Sequence, residues 1–257
     1  MEENKKVILT GILVIVLIAA AVVIYFFVIS GPKKGAEIPL KVEQIGPEIE
    51  EEPGPSLKEK PEPLDVRLEE SDPLIRSRAK DLSLHPVFNK WLKTKEIIRK
   101  FVASVDNIAH GHSPRAHIDF FGLDEKLRVL SEKGKTFIDP RSYSRYDVVA
   151  DVFSSLNTEG CVRFYWQMKP VIQEAYRELG YPEKDFHETL LQAIQELLKV
   201  PLVEEKIAVE ADVTTYTYEN PRLENLSDAQ KHLLRMGPSN VEIIKGKLEE
   251  FALALRD

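Results

Sequence analysis

The longest apolar stretch of the chain covers residues 7–29, which carry no charged side chain. At about 1.5 Å per residue, a helix of this length reaches roughly 34 Å and can cross a hydrocarbon core of about 30 Å. The apolar run continues beyond Ala21, where a cleavable signal peptide would turn polar. The pattern therefore predicts a single-pass transmembrane signal-anchor helix at residues 7–30, after a short tail at residues 1–6.

The next segment, residues 31–70, is polar and poor in large apolar side chains. It contains seven prolines, four glycines and ten glutamates. Such a composition cannot bury enough apolar surface to offset the entropy lost on ordering. We expect a disordered linker that holds the following domain, residues 71–257, at a distance from the bilayer.

In the first part of this domain the apolar positions recur at helical spacing. Asp72, a cap residue followed by proline, opens a first helix. His85 precedes a proline and should break the pattern, because a residue before proline avoids the helical region. A single second helix is then predicted over residues 87–109, with Gly111 as its C-terminal cap.

Two stretches are predicted to form strands. Residues 127–138 form a hairpin if Lys133-Gly134 supplies the turn, and the register then places Leu130 opposite Phe137. Residues 207–218 alternate with period two, which predicts one strand that pairs with this hairpin. The predicted sheet is small and antiparallel.

The remaining apolar patterns are again helical. Cap or proline signals open helices at Asp139, Asn157, Pro182 and Ser227, and a last apolar helical face runs from Val241 to Leu255. The predicted fold of the domain is therefore mainly α with a small antiparallel β-sheet.

Charge and cysteine content narrow the function classes. Most of the net charge of −7 lies before residue 72, so the domain itself is nearly neutral and no nucleic-acid partner is expected. Cys161 is the only cysteine, which excludes an internal disulfide and a cysteine-rich metal site. It falls on an apolar helix face, as expected for a small buried hydrophobe.

Five short blocks of the domain carry a family resemblance. They are residues 98–107 (IRKFVASVDN), 138–147 (IDPRSYSRYD), 175–182 (AYRELGYP), the Gln230-Lys231 pair and residues 233–238 (LLRMGP). With them the chain resembles, from Ser71 to its C-terminus, an uncharacterised bacterial family called domain of unknown function 3014. The order of anchor, acidic linker and C-terminal domain is similar to that family as well. The resemblance implies no known activity.

One loop has residue types that bind metals. His110, His112 and His117 lie close together in sequence, with Asp106 before them and Asp119 after them. The alternative is an ordinary helix end, where His110 suits the negative pole of the helix dipole and the others face solvent. We expect no cofactor and treat the three histidines as weak metal candidates.

Asp106 is also a weak catalytic candidate. It lies near the end of an otherwise apolar helix, where burial of a carboxylate can produce a general base. The alternative is a structural acceptor for Arg99, Arg145 or a loop amide.

The block at residues 138–147 contains the candidate partner-binding residues. Tyr143, Arg145, Tyr146 and Asp147 combine two tyrosines with an arginine, residue types that anchor interfaces when exposed. The same residues can instead lock the start of a helix.

The chain lacks the common sequence motifs for phosphate loops, dinucleotide binding, zinc proteases and serine hydrolases. We therefore expect a membrane-tethered interaction or accessory module of the bacterial cell envelope rather than an enzyme. Its partners are the lipid bilayer, through residues 7–29, and another envelope protein or polymer. The basic N-terminal tail favours a periplasmic domain at the inner membrane, and a cytoplasmic domain is the alternative. The alternative is an envelope hydrolase with an Asp- or His-based site.

Overall fold

The computed structural model describes residues 60–121, 127–212 and 215–256. The predicted membrane-spanning helix and most of the predicted linker lie outside these ranges. Within them, none of the helices combines the length and the apolar character needed to cross a membrane.

The described residues fold mainly into helices, as the sequence predicts, with four short strands. The helices are α1 Ser71–Ala79, α2 Pro86–Trp91, α3 Ile97–Ala109, α4 Asp147–Ser154, α5 Thr158–Glu178, α6 Phe186–Leu198, α7 Pro221–Glu224, α8 Asp228–Leu234 and α9 Pro238–Ala254. The strands are β1 Val129–Glu132, β2 Lys135–Ile138, β3 Val209–Ala211 and β4 Tyr216–Tyr218. Short 3-10 helices cover Leu68–Glu70, Pro114–Ala116, Asp119–Phe121 and Pro140–Tyr146.

The main core lies among α3, α5, α6 and α9, which pack against one another. α5 contributes more buried residues than any other helix, and its apolar stripe includes Met168, Ile172 and Tyr176. Phe186 at the start of α6 and Val102 in α3 complete this contact and are also buried. Each such side chain contributes about 1.5–3 kcal/mol through removal of apolar surface from water.

The predicted single helix over residues 87–109 is wrong, because the chain breaks between α2 and α3. Glu96 has a φ of 56°, in the left-handed region, and ends the continuity. The carboxylate of Asp72 in α1 accepts hydrogen bonds from the amides of Glu96 and Ile97, both at 2.9 Å. A residue far away in sequence thus satisfies the first amides of α3.

Arg76 holds the same connection from α1. Its Nε donates to the carbonyl of Leu92 at 2.9 Å, and its Nη2 donates to the carbonyl of Thr94 at 2.8 Å. Nη2 also lies 3.1 Å from Asp72 Oδ2. Two side chains of α1 therefore stabilise the break.

The strands are arranged differently from the prediction. The predicted hairpin is confirmed with its register, Leu130 opposite Phe137. Residues 207–218, however, form a second hairpin, β3–β4, instead of one strand. There are therefore two two-stranded sheets in the described chain, joined by a single bridge between Phe137 and Ala208. Both arms of a hairpin alternate with period two, so alternation alone does not reveal a turn between them.

The packed domain includes residues that the sequence assigns to the linker. Leu68 is buried, and the amide of Leu64 donates to the carbonyl of Gln167 in α5 at 2.9 Å. The ammonium group of Lys60 lies 4.0 Å from the centre of the Trp166 ring, a cation–π distance. The chain therefore joins the domain along α5.

Helix starts follow the cap signals at Asn157 and Ser227, but Asp72 does not cap α1, which begins at Ser71 after Glu70 without a side-chain cap. Asn157 and Ser227 accept hydrogen bonds from the first amides of α5 and α8, and Ser227 forms the predicted capping box. The predicted start at Pro182 is wrong. α6 begins instead after Asp185, whose carboxylate accepts from the amide of His187 at 2.9 Å.

We expect Asp72→Ala to lower the free energy of unfolding by about 1–2 kcal/mol, because two amides of α3 and one guanidinium lose their acceptor. Urea denaturation of both chains measures the change. Asp81→Ala is the control, since Asp81 is an exposed carboxylate near the end of α1. Equal stability of the two variants would contradict the role of Asp72.

Candidate functional site

Asp139 opens the segment that carries the candidate partner-binding residues. Its buried carboxylate accepts from the amide of Arg141 at 3.0 Å and from the guanidinium of Arg141 at 2.6 Å. These hydrogen bonds lower the pKa of Asp139. The predicted cap is confirmed, but the first turns after it are 3-10 and become α-helical only at Asp147.

Two of the sequence blocks meet where this segment touches the start of α9. The Tyr143 side chain lies against Gly237, the residue before α9. Gly237 has a φ of 87°, and a Cβ there would come within 3.0 Å of three side-chain carbons of Tyr143. The approach of the two segments therefore requires glycine.

Asn240 fastens this contact from the first turn of α9. Its buried amide Nδ2 lies 3.2 Å from the carbonyl of Tyr143, 3.0 Å from Asp147 Oδ1 and 2.9 Å from the carbonyl of Met236. One side chain thus joins the 3-10 helix, the start of α4 and the turn before α9.

α8 places a histidine beside the loop that follows α3. Ser113 Oγ lies 3.0 Å from Nδ1 of His232, and Ser113 Oγ also accepts from the amide of Arg115 at 3.4 Å. The other ring nitrogen, Nε2, is buried and has no hydrogen-bond partner among the described residues. The ring is therefore held at one nitrogen only.

Three arginines surround His232, and we call Arg115, Arg145 and Arg235 the arginine cluster. Arg115 comes from the 3-10 helix after α3, Arg145 from the one before α4, and Arg235 from the end of α8. The Arg145 guanidinium lies 4.7 Å from the centre of the Tyr146 ring. Arg145 follows Tyr143 by two residues and Arg235 precedes Gly237 by two, so the Tyr143–Gly237 contact brings both arginines to one place.

Strand β4 borders the cluster on the side of Arg235. Nη2 of Arg235 lies 3.5 Å from the carbonyl of Tyr216, and its guanidinium is 5.8 Å from the centre of the Tyr218 ring. Burial raises the pKa of Tyr218, and the positive charge of Arg235 opposes this effect. The nearby carboxylate of Glu224 is already bound to Lys231 Nζ at 2.6 Å and to the Tyr218 amide at 2.8 Å.

The charge of this region is positive. Burial, with smaller contributions from the charges of Arg235, Arg115 and Arg145, lowers the pKa of His232 to about 4. His232 is therefore neutral at pH 7. Over the described ranges, no carboxylate lies within salt-bridge distance of the Arg115 or Arg235 side chains. The cluster is thus a cationic surface built around a neutral imidazole.

The four predicted partner-binding residues divide into two pairs. Tyr143 and Arg145 are half-buried and belong to the cluster and its border. Tyr146 is only 9% exposed and packs in the core, and Asp147 is exposed but bound by Asn240. Tyr146 is therefore buried rather than exposed, as in the alternative in which these residues lock the start of a helix.

Asp106 belongs to a different contact, which joins α3 to the turn after α5. Its Oδ1 lies 3.3 Å from His110 Nδ1, and the Tyr181 hydroxyl bonds to its carboxylate. The His110 and Tyr181 rings are stacked, with centroids 6.2 Å apart. Arg99, a predicted partner of Asp106, pairs instead with Glu178 at 2.8 Å.

The three histidines proposed as metal ligands do not gather at one point. In the part of the chain that the structure describes, there is no group of three or more His, Cys, Asp or Glu side chains arranged to hold a metal ion. His110 packs on a tyrosine, while His112 is exposed and His117 half-buried in the following loop. Asp119 binds Lys100 Nζ at 3.0 Å.

Cys161 is half-buried rather than fully buried. Burial, opposed by the charge of Lys247, raises the pKa of its thiol to about 11. The thiol is therefore protonated at neutral pH and is a poor nucleophile.

Ser113 and His232 have the residue types of a nucleophile and its base. A general base works best with a pKa near the working pH, whereas the pKa of His232 is about 4. In a hydrolytic triad a carboxylate binds the second ring nitrogen, and Nε2 has no such partner among the described residues. The geometry therefore favours binding over nucleophilic catalysis.

Sequence reasoning missed His232, Ser113 and Arg115 as site residues. Ser113 and His232 are 119 positions apart, and neither belongs to a recognisable motif. The histidines of this loop were the predicted metal candidates, but its serine and arginine are the residues that lie at the site. Arg235 does lie in one of the quoted blocks.

A family model described as "Protein of unknown function (DUF3014)" matches residues 97–252, more than half of the chain, so the chain belongs to this family. The resemblance predicted from the five blocks is thus confirmed. Comparison with curated proteins and with solved structures finds no match. All the residues of the arginine cluster lie within the matched range.

We expect Gly237→Ala to destabilise the domain by about 1–3 kcal/mol more than Gly180→Ala. Both glycines have positive φ, at 87° and 111°, so both substitutions strain the backbone. Only at Gly237 would the new methyl also overlap a neighbouring side chain, since nothing lies within 4 Å of a Cβ at Gly180. Denaturant unfolding of both variants measures the difference, and equal losses would rule out the close contact with Tyr143.

We also expect a pH dependence of stability from His232. Its pKa is about 4 in the folded chain and near 6.5 when unfolded, so the unfolded state binds more protons between these values. The contribution is complete above about pH 6.5 and is lost as the pH falls toward about 4. Between pH 7 and pH 4.5 the chain should lose about 2–3 kcal/mol more than His232→Gln. Urea denaturation of both chains at the two pH values measures the change. An equal loss of unfolding free energy in the two chains would contradict the prediction.

Proposed function

We propose that this protein is a membrane-tethered interaction or accessory module of the bacterial cell envelope, with its domain on the periplasmic side of the inner membrane. The apolar segment 7–29 would be the anchor, and the domain would bind another envelope protein or polymer. The observation that carries the proposal is the arginine cluster. Arg115 and Arg235 lack a carboxylate partner among the described residues, although both border a buried histidine.

Unpaired arginines are typical of binding surfaces. A guanidinium offers five donors in a planar fork and is among the residues most enriched where interfaces hold strong contacts. Arg235 and Arg145 also lie over tyrosine rings, which fixes their side chains before a partner arrives. A surface held ready in this way loses less entropy on binding.

The position of the cluster also suits a tethered module. α9 begins beside Tyr143 and ends near His187. The His187 ring packs against Trp166, and Lys60 of the incoming chain contacts the same Trp166 ring. A helix of 17 residues is about 25 Å long, so the cluster and the attachment point lie at opposite ends of α9. A partner can therefore reach the cluster without displacing the attached chain.

The competing function is an envelope hydrolase. Its Asp-based form requires Asp106 to face a substrate, but Asp106 contacts His110 and Tyr181 between two helices. Its His-based form requires a base near neutral pH, and His232 does not meet this requirement. Both observations favour the interaction module.

Cross-linking in cells that naturally produce the protein tests the proposal. We expect a defined partner to be captured by the full-length anchored chain and to be reduced by about tenfold for Arg115→Gln plus Arg235→Gln, because two charge-assisted contacts are lost. The matched control is Arg163→Gln plus Arg222→Gln, which removes the same charge from exposed sites outside the cluster.

Both double variants should first be shown to unfold at the same denaturant concentration. Capture of the partner at equal yield by the control and by the cluster variant would contradict recognition through this surface. Absence of any partner that depends on the folded domain would contradict the interaction module itself.

A further inference from the structure

We infer that the arginine cluster binds a phosphate-type oxyanion carried by the partner, with the Arg115 and Arg235 guanidinium groups as donors beside the His232 ring. The inference deepens the proposed function and rests on it for the partner. The binding of the anion itself follows from the donors, their charge and the state of the imidazole.

The first observation is the set of donors that the fold leaves unused. Arg235 makes one weak contact with the carbonyl of Tyr216, at 3.5 Å, and a second with the Tyr218 side chain, which leaves part of its fork for an anion. Arg115 has an exposed side chain and donates only through its backbone, to Ser113. Two forks of this kind match the several oxygens of a phosphate, to which arginine binds in a bidentate way.

The second observation is the position of the His232 ring. Its Nδ1 lies 3.0 Å from Ser113 Oγ, which also accepts from the Arg115 amide at 3.4 Å. Arg235 follows His232 by three residues at the end of α8, so the ring lies close to both segments that carry the arginines. Its Nε2 is shielded from solvent and has no partner among the described residues, so the ring reports on the site without contacting the anion.

The third observation is the balance of charge. A protonated His232 would add a further positive charge beside Arg115 and Arg235, and the half-buried ring stays neutral at pH 7 instead. A doubly charged anion compensates two of the arginines, whereas a carboxylate compensates only one. Glu224, the acidic neighbour on the Arg235 side, is held by Lys231 and the Tyr218 amide. The cluster therefore favours phosphate over carboxylate.

The segment that carries Arg115 also contacts the His232 ring, so the arginine and the ring are held in one place. The same turn that presents the Arg115 guanidinium places Ser113 against His232, and the loop is anchored by Gly111, whose carbonyl accepts from the amide of Ala229 in α8 at 3.0 Å. The donors thus belong to two segments that are fixed to each other before the anion arrives.

Titration with inorganic phosphate tests the inference on the full-length chain in phosphatidylcholine nanodiscs. The ring signals of His232 are followed by NMR at about pH 8, above the second ionisation of phosphate, where the doubly charged form predominates. Sodium chloride keeps the ionic strength constant, since exposed charges respond to salt alone. His232→Gln assigns the signal. We expect a saturable shift with phosphate, and about tenfold weaker binding of acetate.

The variants locate the donors. Arg115→Gln plus Arg235→Gln should weaken phosphate about tenfold or more, and the control Arg163→Gln plus Arg222→Gln should leave it unchanged. If the glutamine variant does not fold, Arg115→Lys plus Arg235→Lys keeps the charge and removes the forks, and we expect an intermediate loss. Phosphate that causes no saturable shift, or that binds the cluster variants as tightly as the unaltered chain, overturns the inference. Equal binding of acetate overturns the preference for phosphate.

A second arm separates the partner from the bilayer as the source of the phosphate. Nanodiscs that contain phosphatidylglycerol should leave the affinity for inorganic phosphate unchanged. An affinity that falls about tenfold in these discs means that a lipid headgroup occupies the site, which overturns the assignment to a partner. If the unaltered chain does not bind phosphate but the arginine variant still loses its cross-linked partner, only this inference is contradicted. If the unaltered chain binds phosphate but no partner is captured, only the proposed function is contradicted.

Discussion

The close approach of Tyr143 to Gly237 is the constraint on which the site depends. It requires a residue without a side chain in a left-handed conformation, and it is secured by the buried amide of Asn240. Arg145 and Arg235 each lie two residues from this contact, so their separation is set by it. The position of the cationic surface is therefore a property of backbone packing rather than of the arginines themselves.

The neutral state of His232 is the second physical condition of this surface. Burial removes the imidazole from water, and the surrounding arginines make its protonation still less favourable. The ring consequently contributes a hydrogen-bonding group without contributing charge. Ser113 orients it through Nδ1. A histidine with a pKa this low is a weak general base at neutral pH, so the contact of Ser113 with His232 does not by itself indicate a hydrolytic pair.

The sequence blocks that mark the family have two different roles in the structure. Asp106 and Tyr181, from two of these blocks, bind each other across the interface between α3 and the end of α5. Arg99 and Glu178 reinforce the same interface. The blocks that contain Tyr143 and Gly237 instead create the cationic surface. Residue types alone suggested a catalytic or metal-binding role for the first group, and the contacts show that those side chains join helices.

The sequence by itself determined the helical class of the domain, the register of the first hairpin, and the caps at Asn157 and Ser227. These features depend on side chains within a few positions of one another, so local periodicity and cap chemistry report them. Only the tertiary structure decided that Asp72 breaks a predicted helix, since its carboxylate binds amides 24 and 25 positions away. The meeting of Ser113 with His232 is of the same kind. Contacts across such distances depend on how the whole chain packs, because no local pattern specifies which distant residues a folded core will bring together.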